Sequence, residues 1–203
     1  MPERGTIYIK KDLGIGFIPI PKNGSTTIRK YVFNFNIKDS LEIMDKLSHE
    51  EISKTKKIVI ISDPITRFSR GIIEVINRGE NTEKIKTKEF KECKSYGCKI
   101  FSIIKGIEKW GFYDVHLKPQ SYFILDKNGN PYPIDEFWYL ENLTSKLKEI
   151  IPNYDGELTW TRGSEKNPFL KAIMESLDLQ KKIRELYREA FEIFDNPNTI
   201  KKY

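Results

Sequence analysis

Cysteine is scarce: Cys93 and Cys98 are the only two in 203 residues. That excludes a disulfide-built secreted scaffold and makes a reducing cytoplasm the expected setting. The pair lies in a Lys-rich, Gly-containing stretch with no second pair nearby. A metal site or a redox switch is open to such a pair, but free loop thiols are the expectation. Histidine is as rare, with only His49 and His116. Long apolar runs are missing too. Glu3, Arg4, Lys10, Lys11 and Asp12 interrupt the opening stretch and no later run reaches membrane-spanning length, so neither a secretory leader nor a membrane anchor is expected. Internal repeats and low-complexity tracts are also absent.

What remains is a chain suited to one packed globule. Its 203 residues are 38% hydrophobic, 12% aromatic and 32% charged, so a single domain over 1–203 is expected. A formal charge of +6 attracts polyanions such as nucleotides, nucleic acids, sulfated glycans or acidic lipids. Charge alone does not choose among them.

The order of elements is more informative. Ile15 to Ile20 is short, apolar and β-branched, and reads as a buried strand. Ile28, Tyr31, Val32 and Phe35 then recur at helical spacing, which predicts a helix over Ser25–Phe35. A capping-box pattern at Ser48–Glu51 predicts a short helix leading into a second strand at Ile58–Ser62. Asp63 suits the N-cap and Pro64 the first position of the helix that follows, buried by Ile65, Phe68, Ile72 and Ile76. The stretch from Gly79 to Lys99 lacks apolar periodicity and reads as a mobile excursion or a short charged helix. A helix is expected over Ile100–Trp110, strands at Tyr122–Leu125 and Phe137–Leu140 around a turn at Asp126–Asn130, and helices marked by Leu143–Ile151 and Ile183–Phe194, the last with Asp178 as its cap. Alternation of this kind predicts an α/β fold, a central mainly parallel sheet flanked by helices, with ligands beyond the carboxyl ends of the strands.

The loop Pro21-Lys22-Asn23-Gly24-Ser25-Thr26-Thr27 lies where a strand hands over to a helix. Backbone N–H groups and the helix dipole converge there on a point that suits an anion. Gly24 admits close approach, Ser25, Thr26 and Thr27 add hydroxyl donors, and Lys22 supplies a mobile charge. The Gly-Lys-Ser/Thr ending of nucleoside triphosphatases is missing, which disfavours a kinase-like reaction and bound magnesium. The loop resembles the 5′-phosphosulfate loop of the sulfotransferase superfamily.

In that superfamily the second strand ends in Arg-Asp-Pro and a serine follows on the next helix, both holding the 3′-phosphate of the donor. Here the matching segment runs Ser62-Asp63-Pro64 to Arg70-Gly71, with serine and arginine exchanged. A helical Arg70 points its side chain back toward the helix start, so a rebuilt 3′-phosphate site is expected, with Ser69 as another candidate for the family serine. Asp114-Val115-His116-Leu117-Lys118-Pro119-Gln120 resembles a block of the Golgi-type carbohydrate sulfotransferases, as does Phe137–Leu143, and Arg162, Gly163 and Ser164 lie where relatives close a loop over the donor.

The resemblance implies a P-loop-like sulfotransferase fold and a minimal, anchorless enzyme. It would move a sulfuryl group from 3′-phosphoadenosine-5′-phosphosulfate (PAPS) to a hydroxyl or amine of a small-molecule or glycan acceptor, releasing adenosine 3′,5′-bisphosphate (PAP), with no metal, nucleic acid or membrane partner. Lys22 is the expected electrophile at the bridging oxygen and His116 the expected base, with His49, Glu50 and Glu51 in reserve. The alternative is a degenerate, non-catalytic protein that binds a nucleotide or nucleic acid.

Overall fold

The computed structural model describes residues 3–34, 41–78, 87–126, 128–151, 154 and 167–197, the side chains of Asp45 and His49 excepted. They fall into two compact units, one from Met1–Ser62, Gln120–Thr159 and Glu192–Tyr203, the other from Asp63–Pro119 and Trp160–Phe191.

The first unit is built on a five-stranded sheet. Its strands are β1 (Thr6–Lys10), β2 (Ile15–Ile18), β3 (Leu41–Ile43), β4 (Lys56–Ile61) and β5 (Glu136–Tyr139), in the order β3-β1-β2-β4-β5. β2, β4 and β5 run parallel, whereas β1 is antiparallel to both β2 and β3. The sheet is therefore mixed, not mainly parallel as expected. The correction comes from β1, which returns into β2 through the short turn Lys11–Leu13 and Gly14 at φ 62°, and from β3, three residues on the edge.

Helices α1 (Ser25–Tyr31) and α7 (Leu143–Ile150) contribute Ile28, Leu143 and Leu147 to the core on one face of this sheet. Strand periodicity aims Tyr8, Phe17, Ile58 and Trp138 into the same cluster, and Phe17 meets Trp138 edge-on at 5.6 Å. Helix α2 (His49–Lys54) carries the predicted capping box: Ser48 Oγ accepts from the Glu51 N–H and the Glu51 carboxylate accepts from the Ser48 N–H. Tyr122–Leu125, expected as a strand, is instead the one-turn helix α6 (Ser121–Ile124) followed by a single bridge from Leu125 to Pro131. The turn between them is as expected, since Asp126 Oδ1 accepts from the N–H groups of Asn128 and Asn130.

The second unit is helical. It holds α3 (Pro64–Arg78), α4 (Lys88–Glu92), α5 (Tyr96–Trp110), α8 (Pro168–Met174) and α9 (Leu177–Leu186), and α10 (Arg188–Asp195) starts in it. Asp63 Oδ1 accepts from the Thr66 N–H at 2.7 Å with Pro64 in the first helical position, as the sequence predicted. Ile65, Phe68, Ile72 and Val75 of α3 close a core with Ile100, Ile104, Phe169, Ile173 and Ile183. The last predicted helix is broken at Tyr187, and its cap is Ser176 rather than Asp178, whose neighbour Leu179 donates to Ser176 Oγ. Cys93 and Cys98, expected as free thiols, are joined by a disulfide across the α4–α5 turn. Among the described residues no helix is long and apolar enough to cross a membrane, and no group of three or more His, Cys, Asp and Glu could hold a metal ion.

Candidate functional site

In the first unit the loop from Pro21 to Gly24 links the carboxyl end of β2 to α1. Lys22 stands at φ 70° and Gly24 at φ 75°, the left-handed region that costs a residue with a Cβ roughly 1–2 kcal/mol. A side chain at Gly24 would also lie 2.6 Å from Leu143 Cδ2. The loop therefore winds tightly onto the start of α1, whose first turn contains no acidic residue and no side-chain cap. Ser25 and Thr27 are half-buried there and Thr26 is exposed. N–H groups with no side-chain cap and no acidic residue in the same turn suit an anion.

A buried polar cluster holds this loop in place. Asn23 is 1% exposed, and its Nδ2 donates to the carbonyl of Ile60 at 2.9 Å and to Gln120 Oε1 at 2.5 Å. Ser62, at the carboxyl end of β4, donates from Oγ to Asn23 Oδ1 at 2.6 Å. The Gln120 amide pairs with the Ser62 backbone twice, accepting from its N–H at 3.0 Å and donating to its C=O at 2.8 Å. Gln120 thus occupies the place of a neighbouring strand, just beyond the last residue of β4. Asn23 and Ser62, expected to touch the donor, turn their side chains inward. They fix the ends of β2 and β4 relative to each other.

In the second unit the segment Asp114–Pro119 forms a tightly held loop. His116 is buried; its Nδ1 and its backbone N each lie 2.8 Å from Asp114 Oδ1. Burial raises the Asp114 carboxyl, but hydrogen bonds from the His116 side chain and backbone outweigh it and hold the pKa below the ordinary carboxylate value. A depressed pKa stabilises the fold above the unfolded carboxylate value of about 3.9, and that contribution disappears as pH falls through the lower folded value. Asp114→Asn is thus expected to lower stability at pH 7, with the difference from the parent shrinking in urea melts taken at progressively lower pH.

Three successive carbonyls of the loop are engaged. The His116 carbonyl rests against Gly71, where an added Cβ would lie 2.4 Å from it; Leu117 O accepts from the Tyr187 hydroxyl; Lys118 O accepts from Arg67 Nη1 at 2.6 Å. Arg67 is 1% exposed, and burial lowers its guanidinium to about 10, so it remains charged at neutral pH. Burial pushes the Tyr187 hydroxyl well up from its ordinary value, keeping it a donor. Arg70 is half-buried on α3, and Ser69 is fully buried, donating to Thr66 O and accepting from Asn167, the α8 cap.

Of the reserve bases, Glu50 and Glu51 are exposed on α2 and Glu51 is engaged by the capping box; the His49 side chain and all of Arg162, Gly163 and Ser164 lie outside the described residues. The structural roles of Gln120, Arg67, Tyr187 and Asn167 are not legible in the sequence, although Gln120 closes the Asp114–Gln120 block and Arg67 lies one turn into the helix that Asp63 caps. No family model, curated protein or solved structure matches the chain.

Proposed function

We propose that the chain is a sulfotransferase of the P-loop-like type, moving a sulfuryl group from PAPS to a hydroxyl or amine of a small-molecule or glycan acceptor, and releasing PAP. One observation carries the reading. The loop, the end of the second parallel strand and the Pro-Gln end of the later block, three stretches that resemble the superfamily in order along the chain, meet in one buried cluster through Asn23, Ser62 and Gln120.

In this reading the start of α1 takes the 5′-phosphosulfate, with Gly24, Ser25, Thr26 and Thr27 as its donors and Lys22 countering charge on the bridging oxygen. Arg70 takes the 3′-phosphate. His116, its Nδ1 held by Asp114, accepts the acceptor's proton at Nε2, as a base oriented by a carboxylate does. None of these roles calls for a metal, a nucleic acid or a membrane. Two cysteines in the whole chain favour a cytoplasmic setting, and the Cys93–Cys98 bond counts against it.

A non-catalytic nucleotide-binding protein is the second reading. It is favoured by Ser62, whose hydroxyl is committed to Asn23 and takes no part in an anion site. Calorimetric titration tests the 3′-phosphate site on which the first reading depends. Adenosine 3′,5′-bisphosphate is expected to bind at least about tenfold more tightly than adenosine 5′-monophosphate, the scale of one charge-assisted hydrogen bond. Arg70→Ala should abolish that difference, and Lys22→Ala should weaken both ligands. Equal affinities for the parent protein would refute the 3′-phosphate site.

A further inference from the structure

The Cys93–Cys98 bond is asymmetric in its surroundings. Cys93 is 9% exposed at the carboxyl end of α4, whereas Cys98 is exposed in the first turn of α5. The Cys98 N–H donates to the cap Ser95 Oγ at 3.2 Å, which fixes Cys98 in the first turn of a 15-residue helix. The five-residue α4 is too short to persist by itself. Among the described residues its attachments include the Thr87 cap on the Phe90 N–H, a 3.4 Å contact between the Thr87 and Ser102 hydroxyls, the buried Phe90 side chain with Lys99 over its ring, and the disulfide.

We propose that Cys98 is a thiol-exchange site for low-molecular-weight thiols, and that opening the bond there releases α4 from α5. The incoming thiolate attacks Cys98 Sγ, forming a mixed disulfide and expelling the Cys93 thiolate, which takes a proton. A second thiol attacks the incoming sulfur, leaving as the oxidised disulfide. Two electrons and two protons thus pass from two thiols to Cys93 and Cys98. Attack at Cys98 follows from access, since Cys98 is exposed and Cys93 is largely buried. The inference is independent of the sulfotransferase reading.

Reduced glutathione added to the native protein, followed by acid quench and peptide mapping, is expected to place the mixed disulfide on Cys98. Dithiothreitol without denaturant should reduce the pair. Amide exchange at Lys91 and Cys93, whose N–H groups close α4 onto Thr87 and Glu89, should then quicken about tenfold or more. Cys98→Ser should show the same fast exchange with no reductant; if that variant does not fold, the reduced parent protein still supplies the measurement. An adduct on Cys93, a bond that resists dithiothreitol until the chain unfolds, or equal exchange before and after reduction overturns the proposal.

Discussion

Gln120→Leu is expected to lower stability by about 3–5 kcal/mol, the sum of two or three orphaned polar groups at roughly 1–3 kcal/mol each. Gln120 is fully buried, and its amide meets the Ser62 N–H, the Ser62 C=O and Asn23 Nδ2. Leucine fills much of the volume but leaves both Ser62 backbone groups without a partner, and water has little room to replace them. Gln120→Glu distinguishes this account from a loss of packing. A carboxylate still accepts from Asn23 Nδ2 and the Ser62 N–H but cannot donate to Ser62 O, whereas the protonated acid can. Burial raises the folded pKa of such a glutamate, so its stabilising contribution is present at low pH and is lost as pH rises through that value. The deficit of Gln120→Glu in urea melts should thus be smaller near pH 5 than near pH 8, while that of Gln120→Leu stays flat between them. A deficit below about 1 kcal/mol for the leucine variant would mean that the cluster does not hold the loop.

Local chemistry explains what the sequence made legible. The capping box at Ser48, the Asp63-Pro64 helix start and the Asp126–Asn130 turn all depend on neighbours within a few residues, and all three are present in the structure. The antiparallel part of the sheet leaves little trace in the sequence, because β1 is a short Thr-Ile-Tyr-Ile-Lys segment paired by a hairpin and β3 only three residues of edge strand. Neither has enough period to stand out. Tyr122–Leu125 has the β-branched and aromatic look of a strand, yet burial of Ser121, Phe123 and Ile124 in one helical turn overrides that preference. The candidate site divides in the same way. Gly24 and the uncapped start of α1 follow from the order strand, glycine, hydroxyls. The inward turn of Asn23 and Ser62 depends on Gln120, which is 97 residues from Asn23 along the chain, and no local pattern reveals it.

Gly71→Ala sets helix propensity against contact geometry, and the sign of the result decides between them. In an exposed helix interior the substitution would stabilise by up to about 1 kcal/mol. At Gly71, however, an added Cβ would lie 2.4 Å from the His116 carbonyl oxygen and 3.2 Å from its carbon, and a backbone group cannot rotate away. Either α3 or the Asp114–Pro119 loop must shift, although Arg67 and Tyr187 hold the next two carbonyls of that loop. Overpacking of this kind costs about 1–3 kcal/mol, more than the propensity gain. The control is Gly97→Ala, also on a helix, where the nearest side-chain atom stands 3.9 Å from the added Cβ and stability should stay level or rise by a few tenths of a kcal/mol. The imidazole resonances of His116 should move in Gly71→Ala and stay in place in Gly97→Ala. Two variants of equal stability with an unmoved His116 would show that the Asp114–Pro119 loop does not rest on α3.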